Sequence, residues 1–480
     1  MLRRNFLRAA GAAAAPAFAK ADRRPNILFI MADDHAAHAI SAYGSTINET
    51  PNIDRIGRDG VRLDNCLCTN SICTSSQATI LTGQYSHVNG VRTLNDPLDP
   101  ARQHVAKLLQ AGGYATAMVG KWHLHKDPSG FDYWNILPGQ GSYYDPEFIE
   151  MGQRKKHTGY CTDLITDFSL EWLKGRPKDK PFFLMCHHKA PHRPWQPALK
   201  YSYQNAASTM EEPFTLYDHY ENRSDAARRA TLQLGENLTK TDLKADAPPN
   251  LKGDELRKWT YQRFIKDYLG CVQSVDDSVG RLFSLIAKED LEENTVIIYT
   301  SDQGFFLGDH GWFDKRFMYE EALRMPCLIR YPKEIQHSIN RDMILNLDFA
   351  ETFLDFAGIP APPDMQGRSF RQNLRGKTSK DWRQSMYYRY WMHLADHNVA
   401  AHYGVRTERY KLIYYYGKAL GTSGSIDKDT PPEWELFDLL KDPRELNNVY
   451  ADPAYQKAVV ELKATLDRMQ KEFGDQPCPA

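Results

Sequence analysis

Residues 26–35 read NILFIMADDH. Seven residues with almost no polar side chain end on two adjacent acids. An uninterrupted apolar run of this length, with no polar alternation, is the pattern of a parallel strand buried on both faces. The pattern recurs in 114–123 (YATAMVGKWH), 181–192 (PFFLMCHHKAPH) and 294–304 (NTVIIYTSDQG), and each apolar run delivers polar residues at its end. Helical stretches lie between them, including 101–113 and a long one over 254–288, where Phe264, Tyr268, Val272, Val275, Val279 and Leu282 recur at helical spacing. Strands alternating with helices predict an α/β fold built on a large mixed, mostly parallel sheet flanked by helices. Open sheets of this kind place ligands beyond the carboxyl ends of the strands, where the polar residues cluster here.

The 480 residues are too many for one ordinary core, which predicts a large domain and a smaller one. Residues 201–253 turn polar and aperiodic and are expected to form an inserted surface excursion. Composition shifts again near 376, where MYYRYW, YGVRTERYKLIYYY and EWELFDLL are rich in β-forming aromatics. Residues 376–480 are therefore expected to form a C-terminal α+β subdomain, an antiparallel sheet closed by a helix from about Asp452, with residues 22–375 as the catalytic domain.

Residues 1–21, MLRRNFLRAAGAAAAPAFAKA, have a charged start, a short alanine-rich stretch and a small-x-small end at Ala17-Phe18-Ala19. This predicts an export signal, too short to span a bilayer. Arg3-Arg4 before Asn5-Phe6-Leu7 is similar to a twin-arginine signal, which would make the Tat machinery a partner, and a Sec-type signal is the alternative. A periplasmic or extracellular location is expected, without stable membrane insertion. A net charge of −1 with 25% charged residues gives no electrostatic ground for nucleic-acid binding. Eight scattered cysteines, at 66, 68, 73, 161, 186, 271, 327 and 478, show neither disulfide-scaffold nor zinc-site spacing, though one or two disulfides would suit an exported chain.

Asp33-Asp34 follow the first strand, Cys73 opens a helix, Lys121 and His123 follow a third strand, and Asp302-Gln303 a fourth; His192 and Lys315 join them. Three carboxylates and an amide oxygen are hard ligands that suit Ca²⁺ or Mg²⁺ rather than zinc, and the lysines and histidines suit an anion beside that metal. Singly, each has a plain reading as a cap, a turn or a solvated charge. Together, at strand ends, they point to a site.

The motifs PNILFIMADDH, NSICTSSQATILTGQYSH, VGKWHL, APHRPW, YTSDQGFFLGDHGWFDKRFMYEEALRMP and VRTERYKLIYYY…ELFDLLKDPRELNN cover nearly the whole chain after residue 25. On these the chain resembles the formylglycine-dependent type I sulfatases of the alkaline phosphatase superfamily. The resemblance implies that Cys73 is converted by a maturation enzyme to formylglycine, whose hydrate is the nucleophile. It implies one Ca²⁺, or Mg²⁺, held by Asp33, Asp34, Asp302, Gln303 and the Cys73-derived oxygen. It implies that Lys121 and His123 hold and activate the diol, and that His192 and Lys315 grip the sulfate and serve the leaving oxygen. Where the family usually carries Cys-x-(Pro or Ala)-x-Arg, residues 73–77 read CTSSQ, so Gln77 stands in place of an arginine that takes part in maturation and in holding the nucleophile. The expected reaction is removal of sulfate from a sulfated oligosaccharide, with Arg92, Arg193, His393 and His397 as candidates to line the sugar subsite. A phosphoester or phosphonate hydrolase of the same superfamily and an inactive glycan-binding relative are the alternatives.

Overall fold

The computed structural model describes residues 24–202 and 207–478; the stretch expected to be an export signal, residues 1–21, lies outside the described residues. Ten strands form the main sheet, and its centre is five parallel strands in the spatial order Thr295–Ser301, Asn26–Ala32, Phe182–His188, Ala115–Lys121, Tyr133–Leu137. An antiparallel strand flanks this centre on each side, Cys327–Arg330 beside Thr295–Ser301 and Glu147–Glu150 beside Tyr133–Leu137.

The opening stretch is the sheet's central strand, and its apolar residues split between two cores. Ile27, Phe29 and Met31 face one; Leu28, Ile30 and Ala32 face the other. Helices cover both sides, so alternation would leave polar side chains in a dry interior. Burial stabilises by roughly 1.5–3 kcal/mol for each large apolar side chain. Helices Cys161–Gly175 and Gly253–Lys288 supply the second core, and Cys73–Thr82, Val105–Ala111 and Asp348–Ala357 the first.

A four-stranded antiparallel meander, Ser385–Tyr390, His402–Thr407, Tyr410–Tyr415 and Glu433–Asp438, forms the second sheet. Helix Gln456–Phe473 closes over it through Val459, Leu462, Leu466 and Met469. These residues belong to the same buried cluster as Phe29 and Phe349, so one continuous core joins the meander to the main sheet.

The 201–253 stretch departs from the expectation of a surface excursion. It carries short helices at Asp225–Arg229 and Lys240–Leu243 and buries Leu216, Leu232 and Leu234. Its few apolar residues carry the packing and have no period to reveal them. Cys66, Cys68, Cys73, Cys161, Cys186, Cys271 and Cys327 are buried free thiols, so the one or two disulfides that would suit an exported chain are not formed among the described residues.

Candidate active site

Parallel pairing brings the ends of neighbouring strands to one edge. The central strand ends at Ala32, in register with Ser301 on one side and His188 on the other, so Asp33 and Asp34 emerge beside Asp302 and beside the turn to His192. Lys121 ends the next strand. It follows Gly120, where φ is +105° and where a Cβ would collide with the His187 carbonyl, so only glycine lets the two strands approach.

Helix Cys73–Thr82 runs from this edge with every residue buried, and Cys73 occupies its first position. Exposed N–H groups there favour negative charge. Gly83, with φ at +65°, ends the helix. Tyr388 of the second sheet braces the approach: its hydroxyl accepts from the Ser71 N–H at 3.0 Å and donates to the Arg316 carbonyl at 2.6 Å.

One oxygen each from Asp33, Asp34 and Asp302 lie within 4.8 Å of one another, and one atom each from Asp33, Cys73 and His192 form a second such group. Asp33 is ion-paired with Lys121, and Lys315 Nζ reaches Asp34 Oδ1 at 2.5 Å. Gln303 Nε2 donates to the same Asp34 oxygen at 2.5 Å. Gln77 Nε2 donates to Asp302 Oδ2 at 3.1 Å. Asp33 Oδ1, Asp34 Oδ2 and Gln303 Oε1 are buried and hold no hydrogen bond. Buried acceptors without donors are costly. A hard divalent cation such as Ca²⁺ or Mg²⁺ fits this donor set of carboxylate and amide oxygens.

The electrostatics agree. Burial resists ionisation of Asp33, but the Lys121 and Lys315 ammonium groups outweigh it and hold the carboxyl well below the usual range. Burial lifts Asp34 to about 6, with Asp33 and Asp314 adding to the rise against Lys315. Burial, then Asp33 and Asp34, push Asp302 well above the carboxylate range. The trio is short of positive charge. Burial opposes the charge on Lys121 and Lys315, yet the facing acids keep both protonated.

Burial lifts the Cys73 thiol to about 12, so as a thiol it stays protonated and is a poor nucleophile. Burial and Lys121 hold His123 neutral, near 3, with Nδ1 at 3.3 Å from Thr74 Oγ1. His192 is held neutral by burial and Lys121; its Nδ1 donates to the Arg193 carbonyl at 2.7 Å, and Nε2 faces Asp34 Oδ2 at 3.7 Å.

A cleft of about 290 Å³ opens over these groups, lined by Cys73, His192, Lys315, Gln140, Arg193, Asp314, Arg316, His397, Asp396 and Leu94. Of the four sugar-subsite candidates, Arg193 and His397 are on its wall. Arg193 makes a two-pronged pair with Asp242, at 3.1 and 2.7 Å, and His397 Nε2 lies 3.4 Å from Asp314 Oδ2. His393 is not on the wall. Left-handed Leu394, His397 and Asn398 turn the loop back, and the buried His393 ring bonds the Lys428 carbonyl and the Ala401 N–H. Arg92 lies over the Trp391 ring, 5.7 Å from its centroid, beside Asp96.

Gln140, Asp314, Arg316 and Asp396 are wall residues that sequence reasoning passed over. Gln140 accepts from Lys121. Asp314 and Arg316 flank Lys315 and hold φ at +74° and +91°; Asp34 and His123 are also left-handed, at +67° and +45°. Non-glycine residues held there cost about 1–3 kcal/mol each and concentrate at functional sites. The neighbours of Lys315 in WFDKRF were the available signal. Gln140, in a PGQG turn, offered none.

The sulfatase family profile matches residues 25–359, and a profile described as N-sulphoglucosamine sulphohydrolase, C-terminal, matches residues 308–472. N-acetylglucosamine-6-O-sulfatase of Bacteroides thetaiotaomicron is 43% identical over 94% of this chain and 87% of its own length. Human N-acetylglucosamine-6-sulfatase is 27% identical over 77% of this chain and 67% of its own. A solved structure in complex with its substrate D-glucosamine-2-N,6-O-disulfate superimposes with a TM-score of 0.89 at 43% identity, covering 94% of this chain and 98% of that one. A 2-O GAG sulfatase shares the fold, with a TM-score of 0.73 at 21% identity over 94% and 93% of the two chains. The protein is thus an enzyme that hydrolyses sulfuric esters. The chain belongs to the sulfatase family.

Proposed function

We propose that this sulfatase removes the 6-O-sulfate of a glucosamine-type sugar, using a formylglycine made from Cys73 and a cation, Ca²⁺ or Mg²⁺, held by Asp33, Asp34, Asp302 and Gln303. The observation that carries the chemistry is the convergence of three buried acids and two buried lysines on Cys73. The glucosamine assignment is supported by 43% identity to a 6-O-sulfatase over nearly the whole chain and by the disulfated glucosamine bound in the similar structure.

When present, the formylglycine hydrate supplies a nucleophilic hydroxyl, and the cation supplies charge for the sulfuryl oxygens. The chain's own groups do the rest. Lys121 and Lys315 stay cationic and stabilise negative charge on the sulfate. His123 is neutral and one hydroxyl away from the Cys73 turn, so it can take a proton there. His192 carries one proton on Nδ1, committed to the Arg193 carbonyl, which leaves Nε2 to face the substrate. An anionic sulfate against it opposes the effect of burial, so binding loads a proton at Nε2 for the leaving oxygen. Arg193, Asp314, Arg316 and His397 offer donors and acceptors to sugar hydroxyls.

No helix among the described residues is long and apolar enough to cross a membrane. The twin-arginine start supports Tat export to the periplasm or beyond, after a maturation enzyme has acted on Cys73. Residues 22–375 and 376–480 remain the proposed domains. The test is mass spectrometry of the peptide spanning Cys73 together with turnover of 6-O-sulfated N-acetylglucosamine and of N-sulfated, 6-O-sulfated glucosamine. Modification with release of 6-sulfate supports the reading. An unmodified thiol without turnover, or preference for aryl phosphate over aryl sulfate, refutes it.

A further inference from the structure

His192 sits in residues 190–197 (APHRPWQP), a segment that forms neither helix nor strand and whose three prolines have no N–H to give. Its carbonyls need donors from elsewhere, and tyrosine hydroxyls supply them. Tyr143 donates to the His192 carbonyl at 2.6 Å, Tyr160 to the Gln196 carbonyl at 3.0 Å and Tyr144 to the Pro197 carbonyl at 2.8 Å. The Tyr143 bond is the one made to His192 itself. The His192 N–H donates to the Lys189 carbonyl at 3.0 Å, and Nδ1 donates to the Arg193 carbonyl at 2.7 Å. Every polar group of His192 except Nε2 is therefore committed.

Tyr143 is itself held firmly. It lies in the connection after Tyr133–Leu137 that also carries Gln140, it is buried, and its carbonyl accepts the Cys161 N–H at 2.7 Å. The Tyr160 ring stacks on it, with centroids 6.0 Å apart and planes at 26°. The Lys189 ammonium, buried without a hydrogen bond, stands 4.9 Å from the centre of the same ring. Burial keeps the phenol protonated, so its hydroxyl is available as a donor. A pinned ring with its one hydroxyl on the His192 carbonyl fixes the backbone from which the imidazole projects.

We propose that Tyr143 is a positioning residue for His192: its hydroxyl anchors the His192 carbonyl and, with Nδ1 tied to Arg193, aims Nε2 at the leaving oxygen. The inference rests on the reading of His192 as the group whose Nε2 proton passes to the sugar oxygen as the S–O bond breaks. Tyr143 touches no substrate and acts only through His192.

The test compares two esters on the mature full-length enzyme. The 6-hydroxyl of N-acetylglucosamine 6-sulfate needs a proton to leave, whereas the phenol of 4-nitrophenyl sulfate leaves without one. Tyr143→Phe is expected to lower kcat on the sugar ester by at least about tenfold, with KM within about twofold, and to lower turnover of the aryl ester by less than about threefold. Tyr160→Phe removes the same kind of bond four residues beyond His192 and is expected to stay within about threefold on both esters. Should Tyr143→Phe fail to fold, Tyr143→Met, whose flexible side chain fills the space without a hydroxyl, carries the comparison. Equal losses on the two esters, a sugar-ester loss confined to KM, or a Tyr160→Phe loss as selective as that of Tyr143→Phe overturn the role of Tyr143. The division between kcat and KM on the sugar ester decides even where the aryl ester turns over too slowly to measure. His192→Ala on the same two esters checks the underlying reading: equal losses there overturn His192 as the proton donor, a distinct result.

Discussion

Lys315 Nζ stands 2.5 Å from Asp34 Oδ1, with both side chains almost wholly removed from water. The ammonium group on the cleft wall is thus held by an acid of the proposed cation site, so the two proposed functions share one ion pair. Removing one member of a buried pair strands the other, at about 3–5 kcal/mol. Lys315→Met is expected to lower kcat by about 10²–10³-fold, the usual loss for one charge-stabilising donor. It should also lower the melting temperature. Activity assays with a thermal melt on the same preparation check both; unchanged kcat would remove Lys315 from the chemistry.

Cys73→Ala should abolish turnover while the fold persists. The side chain is small, and the helix it opens is anchored by its other buried residues. Circular dichroism and a sulfate-release assay on the variant separate the two effects. Residual turnover above background would place the nucleophile elsewhere.

Chelation followed by desalting is expected to lower both activity and melting temperature, and calcium or magnesium to restore them. A ligand at about a hundred times its Kd stabilises by about 2.7 kcal/mol, which moves the melt by several degrees. Full activity after exhaustive chelation would contradict the metal role of Asp33, Asp34 and Asp302.

Arg193 and Arg92 were equal candidates for the sugar wall, and the structure separates them. Arg193→Ala should reduce kcat/KM by about tenfold or more, because it removes a cleft donor and strands the buried Asp242. Arg92→Ala should stay within about twofold, since Arg92 lies outside the cleft wall and a partly exposed ion pair is worth little. Kinetics on one sulfated monosaccharide suffice; equal losses would mean the substrate contacts extend past this cleft.

Glu351 is buried beside Gly83, the cap of the Cys73 helix, and burial reinforced by Asp348 lifts its carboxyl to about 8. An unfolded glutamate titrates near about 4.3. Between those values the folded chain binds more protons than the unfolded one, so stability falls as pH rises, by up to about 1.4 kcal/mol per pH unit. The contribution is complete below about pH 4.3 and lost as pH passes about 8. Glu351→Gln should flatten that slope and exceed the wild type in stability at pH 8. Urea midpoints at pH 5 and pH 8 test this, and an unchanged slope in the variant would rule it out.

Much of the site was legible in the chain because its residues lie where apolar runs stop. A strand buried on both faces has to be apolar throughout, so the polar residues after Ala32, Ser301 and Gly120 mark both the sheet's edge and the functional groups. The aromatic runs after residue 376 likewise announced an antiparallel sheet. The loop residues were not legible. His393 and His397 share one short motif, yet left-handed residues between and after them send one ring inward and the other to the cleft. Gln140 and Asp242 reach the site from a turn and from a polar stretch with no period at all.

The amino-acid sequence by itself determined the sheet, the order of its strands' polar ends and the residue types gathered there, since hydrophobic burial acts on every apolar run regardless of partner. Only the tertiary structure decided which acid pairs with which lysine, that Gln77 bonds Asp302, and which basic residues form the cleft wall. Those outcomes depend on distances of a few ångströms between segments up to 281 residues apart in the chain. No local pattern encodes such distances, because they are set by how the two cores pack.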